Sequence, residues 1–229
     1  MVRYDPIIVV GLGGVGSHLV EPLARYLAAA MPEATLRLVD GDAYALSNLS
    51  RQRVSQAHVG GNKAEVQAAL LRAAIERIKV AARPEYVHAG NVRDLIVEGA
   101  CVFSCVDNHA SRRLLSDALK RLKNGLLISG GNELYDGNVQ VHLRSQGKDR
   151  TSPIEKFHPE IEFPRDDNPA DLSCEELARL PSHPQVIFTN LAAAALMLNA
   201  FHQAVNGGGV PYDEVCFDIR TNRAAAIAR

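Results

Sequence analysis

No two cysteines of this sequence stand in a C-x-x-C pair. Cys101, Cys105, Cys174 and Cys216 are all that its 229 residues contain, and their spacing argues against a structural zinc site and against a dithiol redox motif. They read as reduced thiols of a cytoplasmic protein. Net charge is also lacking. Lysine plus arginine number 25 and aspartate plus glutamate 26, so no overall field exists to hold nucleic acid or an anionic membrane, and a charged ligand must be held locally. Long apolar runs are missing too. Ile7 to Val10 is followed directly by glycines with no cleavage region, unlike a secretory signal. Val186 to Phe201 is interrupted by Thr189, Asn190 and Asn199 and falls short of the roughly 20 apolar residues that a membrane span needs. It reads as a buried helix. Tryptophan is absent, yet 47% of the residues are hydrophobic, enough for one large core in a chain too short for two ordinary domains and a linker. A single domain over residues 1–229 is expected.

Strands and helices alternate through the first 130 residues. Ile7-Ile8-Val9-Val10 suits a central parallel strand, and Ser17 to Met31 follows with helical spacing of Leu19, Leu23 and Leu27. Thr35 to Val39 forms a second strand, closed by Asp40. Lys63 to Lys79 reads as a helix with Val66, Leu70, Ala74 and Ile78 on one side. Tyr86 to Ala89 is expected as the third strand and Ala100 to Val106, apolar throughout, as a central fourth. Ser111 to Leu122 is helical and Gly125 to Ser129 is a fifth strand. Beyond Gly130-Gly131 the pattern changes: Val139, Val141 and Leu143 alternate with Gln140 and His142, as in an antiparallel strand. Residues 144–185 are polar and proline-rich, a length more typical of a functional crossover or lid than of a connector. The helix from Val186 to His202, a Gly207-Gly208-Gly209 turn and a final strand at Val215 to Arg220 complete the chain. The expected fold is a Rossmann-like α/β sheet, mostly parallel and flanked by helices, with antiparallel strands added in the C-terminal part and a long crossover loop.

Chemistry concentrates in the first half. In Gly11-Leu12-Gly13-Gly14-Val15-Gly16, Gly11 and Gly13 permit a tight turn and close phosphate approach. Gly16 lets helix and strand pack closely, and the helix N-terminus supplies free N–H groups. Asp40 follows about 24 residues later, near the spacing expected for a carboxylate that meets a ribose. A nicotinamide dehydrogenase would need no more than Asp40. The extra Gly14 and the cations Arg51 and Lys63 point instead to ATP, because a guanidinium fork and an ammonium can neutralise a triphosphate and its pyrophosphate leaving group. Otherwise Arg51 and Lys63 belong to a solvated charged face. Asp107, at the end of the fourth strand, is either a metal-holding carboxylate or a helix N-cap.

The strings VVGLGGVGS, LVDGDAYALSNLSRQ, GGNKA and FSCVDNHASR, in this order and spacing, resemble the ThiF/MoeB/HesA-type adenylyltransferases, the superfamily that includes ubiquitin-activating enzymes. The resemblance covers nearly the whole chain from Ile7 onward. It implies that Gly11, Gly13 and Gly14 approach the nucleotide, that Asp40 binds the ribose hydroxyls, that Asn48, Arg51 and Lys63 bind phosphates, and that Gln52 completes the motif. Asp107 would hold the magnesium ion bridging the phosphates. The implied reaction is attack by a protein's C-terminal carboxylate on the α-phosphorus of ATP, giving an acyl adenylate and pyrophosphate. The partner is then a ubiquitin-like or sulfur-carrier protein ending in glycine.

Several such relatives pass the acyl group to a cysteine. Cys101 and Cys105 lie four apart on one face of the fourth strand and read as core residues, as does Cys216 in the last strand. Cys174, in the polar crossover at a helix start, is the candidate thioester or persulfide thiol, while His183 reads as a loop residue. The compact form is similar to short bacterial ThiF proteins, including the PRTRC-type group. Zinc-binding cysteine pairs found in many relatives are missing, so no zinc is expected. Only six residues precede the first strand, which leaves Arg3 as the nearest substitute for an arginine reaching a partner's site. A carrier or sulfur donor is expected on a separate chain. The apolar helix, with its run Ala192 to Ala195, matches one that relatives bury in a homodimer, and burial within the subunit is the other reading. Three alternatives remain: ATP-dependent activation of a peptide or of a tRNA base, a nicotinamide-dependent oxidoreductase, and a non-catalytic nucleotide-binding subunit.

Overall fold

The computed structural model describes residues 2–179 and 185–228. One sheet of nine strands runs through it. Strands β1 (Ile7–Val10), β2 (Leu36–Val39), β3 (Val80–Arg83), β4 (Cys101–Ser104) and β5 (Gly125–Asn132) are followed by β6 (Asp136–Ser145), the short β7 (Lys148–Asp149), β8 (Glu214–Asp218) and β9 (Arg223–Ile227). Their spatial order is β3-β2-β1-β4-β5-β6-β8-β9, with β7 paired to β6. Pairings among β1 to β5 are parallel, and those from β5 through β9 are antiparallel. The expected Rossmann-like sheet with an antiparallel extension is therefore present.

Helices α1 (Gly14–Ala30), α2 (Lys63–Ala74), α3 (Val92–Leu95), α4 (His109–Lys120), α5 (Pro159–Glu162), α6 (Cys174–Arg179) and α7 (Ile187–Asn206) cover the sheet. Because side chains alternate along a strand, β1 feeds two cores. Ile7 and Val9 join Leu19, Leu23, Leu27 and α7 on one face, while Ile8 and Val10 join Leu115, Leu119 and Ile161 on the other. This two-sided burial explains the unbroken β-branched run.

Three expectations need correction. The third strand is Val80–Arg83, and Tyr86 to Ala89 is irregular chain. The helix expected over Lys63 to Lys79 stops at Ala74, since the chain turns through Arg77 at φ 63° and Val80 then pairs with Leu36. The strand near Val215 is not the last, because β9 pairs with it as an edge strand. Beyond β6, the described residues of the connection, 146–179 and 185, are irregular apart from β7, α5, α6 and short 3-10 turns.

Helix α7 packs against α1 and across β5 and β6. Ala193, Ala194, Met197 and Phe201 are buried within this subunit, whereas Phe188 and Leu191 face outward. Among the described residues no helix is long and apolar enough to cross a membrane. Phe201 anchors α7 between the layers, with its ring 5.5 Å from Phe103 and edge-on to Tyr26 at 6.0 Å. Phe201→Ala is expected to cost about 3–5 kcal/mol of unfolding free energy, since the cavity lies between a helix and a central strand that cannot both close on it. Urea denaturation measures this; a loss under about 1 kcal/mol would show that α7 is held elsewhere.

Candidate functional site

The topology switches direction between β1 and β4, and the crevice at their carboxyl ends is where open α/β sheets bind ligands. Gly11 leaves β1 at φ +88°, and a Cβ there would lie 2.8 Å from the Cys105 carbonyl oxygen. Gly11 thus brings the two strand ends together. Gly13 borders open space, where an added Cβ would meet only the Gln52 side-chain amide, at 3.8 Å. Gly14 packs beneath Gln185 and Asn190, and Gly16 packs on the Gly11 carbonyl, as expected for close helix–strand contact. Helix α1 starts after Gly13 with no side-chain cap, so its first N–H groups and its positive dipole end face the crevice.

Asp40 braces this turn from the end of β2. Its Oδ2 accepts from Leu12 N at 2.6 Å and its Oδ1 from Asp42 N at 2.8 Å. Two residues on, Asp42 accepts from Lys63 Nζ at 2.8 Å and from the Tyr86 hydroxyl. Burial works against the Asp42 charge, but the Lys63 ammonium and these two hydrogen bonds outweigh it and lower its pKa. Lys63 opens α2 and is itself buried, with Asn62 capping the helix through Ala64 N and Glu65 N.

Asn48, Arg51 and Gln52 reach the same crevice from a 3-10 turn over Leu46–Asn48, closed by Ala45 N donating to Asn48 Oδ1 at 3.0 Å. Arg51 Nη1 donates to Gln185 Oε1 at 2.9 Å. Gln52 is 4% exposed, yet its Oε1 has no partner among the described residues. A buried acceptor left open beside the Gly13 turn fits a ligand that brings a donor.

Across the crevice Asp107 is exposed. It is not the cap of α4, because Asn108 Oδ1 accepts from Ser111 N at 2.7 Å and Asp166 of the long connection accepts from His109 N and Ala110 N at 2.7 and 2.9 Å. Behind it, buried Arg112 donates to the carbonyls of Val106 and Gly130, joining the ends of β4 and β5. Burial lowers the basicity of Arg112, and the Asp107 carboxylate is the first influence opposing that shift. Among the described residues no group of three or more His, Cys, Asp or Glu side chains is placed to hold a metal. A lone hard carboxylate suits magnesium, which takes one or two carboxylates and completes its shell with phosphates and water.

These groups line one cavity of about 1140 Å³ that runs from the glycine turn to Cys216 and Phe217 of β8. That exceeds the roughly 300–1,000 Å³ of ordinary small-molecule sites, leaving room for a second reactant beside a nucleotide. Cys101 is wholly buried and Cys105 is pushed up to about 12 by burial, so neither is a ready nucleophile. Cys174 opens α6, where Ser173 Oγ accepts from Glu176 N at 3.3 Å, but its side chain lies outside the described residues, as does all of His183.

The family model described as "ThiF family" matches residues 3–206. The chain belongs to the ThiF family. Its curated relatives include the adenylyltransferase and sulfurtransferase MOCS3 of Mus musculus, 35% identical over 142 residues, which are 62% of this chain and 30% of that protein. MOCS3 of Drosophila ananassae is 33% identical over 146 residues, 63% of this chain and 31% of the relative. The chain therefore spans about a third of the relatives' length. Among solved structures, E. coli MccB with AMPCPP and MccA superposes with a TM-score of 0.69 at 19% identity, covering 98% of this chain and 64% of that one. PaaA gives 0.70 at 18% identity, covering 96% and 62%. Both share the fold.

In this ThiF-family chain Asp42 was open to inference from its place two residues after Asp40 and Arg112 from its place at the end of the FSCVDNHASR string, whereas Tyr86, Asp166 and Gln185 join the site through contacts that no local motif signals. Burial pushes Asp40 up to about 6 from an ordinary 3.8, against Lys63 and its two backbone donors. A raised acid pKa means that the folded state binds more protons than the unfolded chain between these values, so this group's contribution to stability falls as pH rises from about 4 to 6. Asp40→Asn removes that titration. Relative to wild type, the variant should gain on the order of 2–3 kcal/mol between pH 4 and 7 in urea unfolding. A pH-independent difference would contradict a raised Asp40 pKa.

Proposed function

We propose that this chain is an ATP-dependent adenylyltransferase that activates the C-terminal glycine carboxylate of a separate ubiquitin-like or sulfur-carrier protein. The observation that carries this reading is the meeting, in one cavity, of the uncapped α1 N-terminus, Lys63, Arg51, the open Gln52 acceptor and the exposed Asp107 carboxylate. The chain's likeness to proteins named adenylyltransferase and sulfurtransferase supports it.

In this reading the Gly13–Gly14 turn and the α1 N–H groups receive phosphate oxygens. Asp40 accepts from the ribose hydroxyls. Lys63, now paired with Asp42, and Arg51, now paired with Gln185, turn to the triphosphate and stabilise the charge that moves onto pyrophosphate. Asn48 adds to the phosphate contacts, and the open Gln52 Oε1 takes a donor of the nucleotide such as a hydroxyl. Magnesium held by Asp107 supplies charge neutralisation across the phosphates when bound. The attacking carboxylate is already ionised at neutral pH, so the site needs no general base, and positioning with charge neutralisation carries the step. Cys174, at the start of α6, is the acceptor for a subsequent thioester, and α6 itself reaches the cavity through Leu177. The outward Phe188 and Leu191 of α7 support a homodimer, and the protein works in the cytoplasm.

ATP–pyrophosphate exchange with magnesium and a panel of glycine-terminated ubiquitin-fold proteins tests the reading. Carrier-dependent exchange is expected, and Asp107→Ala should lower it by about 100-fold or more while preserving the melting temperature. Measurable ATP binding with no exchange for any carrier would turn the reading towards a peptide substrate or a nucleotide-sensing subunit. Cys174→Ala should retain exchange and fail to hold the carrier through a bond cleaved by thiol reductant. Normal capture by that variant would remove Cys174 from the pathway.

A further inference from the structure

The antiparallel half of the cavity carries a buried group that the adenylation chemistry leaves unused. Along β6 the apolar Val139 and Val141 enter the core beneath α7, so Gln140 faces the opposite side, under the long connection. Gln140 is 3% exposed and forms part of the cavity wall. Neither its Nε2 nor its Oε1 has a hydrogen-bond partner among the described residues. Its neighbours are only partly engaged elsewhere. Asn138 Nδ2 donates to Glu214 Oε1 at 2.8 Å, His158 Nδ1 pairs with Glu160 at 3.0 Å with its Nε2 3.1 Å from Glu214 Oε1, and His142 Nε2 pairs with Asp149 at 2.8 Å while its Nδ1 has no hydrogen-bond partner among the described residues. Away from the cavity the same fold satisfies an equally buried glutamine: Gln67, also 3% exposed, donates to Tyr44 Oη at 2.8 Å and to the Arg53 carbonyl at 3.0 Å. A buried amide open at both ends is costly unless a ligand completes it.

We propose that Gln140 is a specificity-determining residue for the acyl substrate, pairing its side-chain amide with the N–H and C=O of one residue in that substrate's C-terminal segment. The inference rests on the adenylation reading. A primary amide offers a donor and an acceptor on one edge, and one residue of an extended chain returns both, because its N–H and C=O point to the same side. A phosphate or carboxylate, all acceptor, would leave Oε1 unpaired. A ribose held at Asp40 is out of reach. Strand β6 stands four strands from β2, which ends at Asp40, about 19 Å at a spacing of roughly 4.8 Å per strand. From the glycine turn after β1, the ribose at Asp40 leads away from β6. A nucleic-acid substrate is disfavoured because Glu133, Asp136 and Glu160 line this end of the cavity and would repel a phosphate backbone.

The test is a binding cycle with a fluorescein-labelled peptide of about ten residues ending in Gly-Gly, and versions in which each of the last five peptide bonds is replaced in turn by an ester, which removes one N–H. One ester position should weaken binding to wild type by about tenfold. Gln140→Leu should bind the all-amide peptide about tenfold more weakly than wild type, be insensitive to that ester, and melt at the same temperature or higher, since an unpaired buried amide is gone. Gln140→Met, unbranched and of similar length, serves should the leucine variant misfold. Equal binding by the variants and wild type, or no ester position that couples to residue 140, overturns the inference, as does binding of unmodified tRNA in preference to the peptide. Parallel pyrophosphate exchange separates the two readings: peptide-dependent exchange without coupling overturns the role of Gln140 alone, whereas neither exchange nor binding overturns both.

Discussion

The carboxylate of Asp40 is the brace on which the site's geometry depends. It is almost wholly buried, it holds Leu12 N and Asp42 N on its two oxygens, and it therefore fixes the glycine turn after β1 against the end of β2. Fixing Asp42 N also aims the Asp42 side chain at Lys63, so one buried charge sets the position of the cation that opens α2. Burial opposes that charge strongly enough to lift its pKa to about 6, and the nearby Lys63 ammonium offsets part of the penalty. Removing either side of such an arrangement leaves an uncompensated buried group, which costs more than the pair contributes when intact.

Two helices point their N-termini at the same crevice, and they are finished differently. Helix α4 is closed by Asn108 and, from more than fifty residues away, by Asp166. Helix α1 has no side-chain cap. Since each N-terminus presents free N–H groups and partial positive charge, closing one and leaving the other open selects where an anion can bind. The closure also pins the long connection over the cavity, together with Asn168, whose amide donates to the Val87 carbonyl at 3.0 Å. Order in a proline-rich segment with little regular structure thus comes from a few side-chain contacts to the body of the fold.

What was legible in the sequence is what is determined locally. The runs at Ile7–Val10 and Cys101–Ser104 are buried on both faces and read directly as central strands, and the glycine turn with Asp40, Asn48, Arg51, Gln52 and Lys63 lies within a short stretch whose motifs fix it. Strand β3 was hidden because Val80-Ala81-Ala82-Arg83 continues a run of good helix formers. The turn that separates it from α2 places Arg77, not a glycine, at positive φ. Strand β9 was hidden because an exposed edge strand of three alanines carries no apolar alternation. Asp166 and Gln185 enter the site through contacts set by tertiary packing, and although Arg112 closes the FSCVDNHASR string, no spacing rule anticipates that its buried guanidinium joins two strand ends.

The two halves of the sheet impose different kinds of recognition. Where strands are parallel, every strand end at the crevice feeds a turn and a helix, so backbone N–H groups can do the binding and side chains need only supply charge. Where strands are antiparallel, β5 arrives at that edge and β6 leaves it through a tight connection at 133–135, with no helix N-terminus between them. Recognition there falls to side chains on the strands themselves. Ser104, Ser129 and Gln140 stand in register across β4, β5 and β6, all buried and all with polar atoms that have no partner among the described residues, where aliphatic side chains would stabilise the sheet more. Each such group costs about 1–3 kcal/mol when unsatisfied. Only Gln140 of the three borders the cavity, and only there can an incoming ligand recover part of that cost.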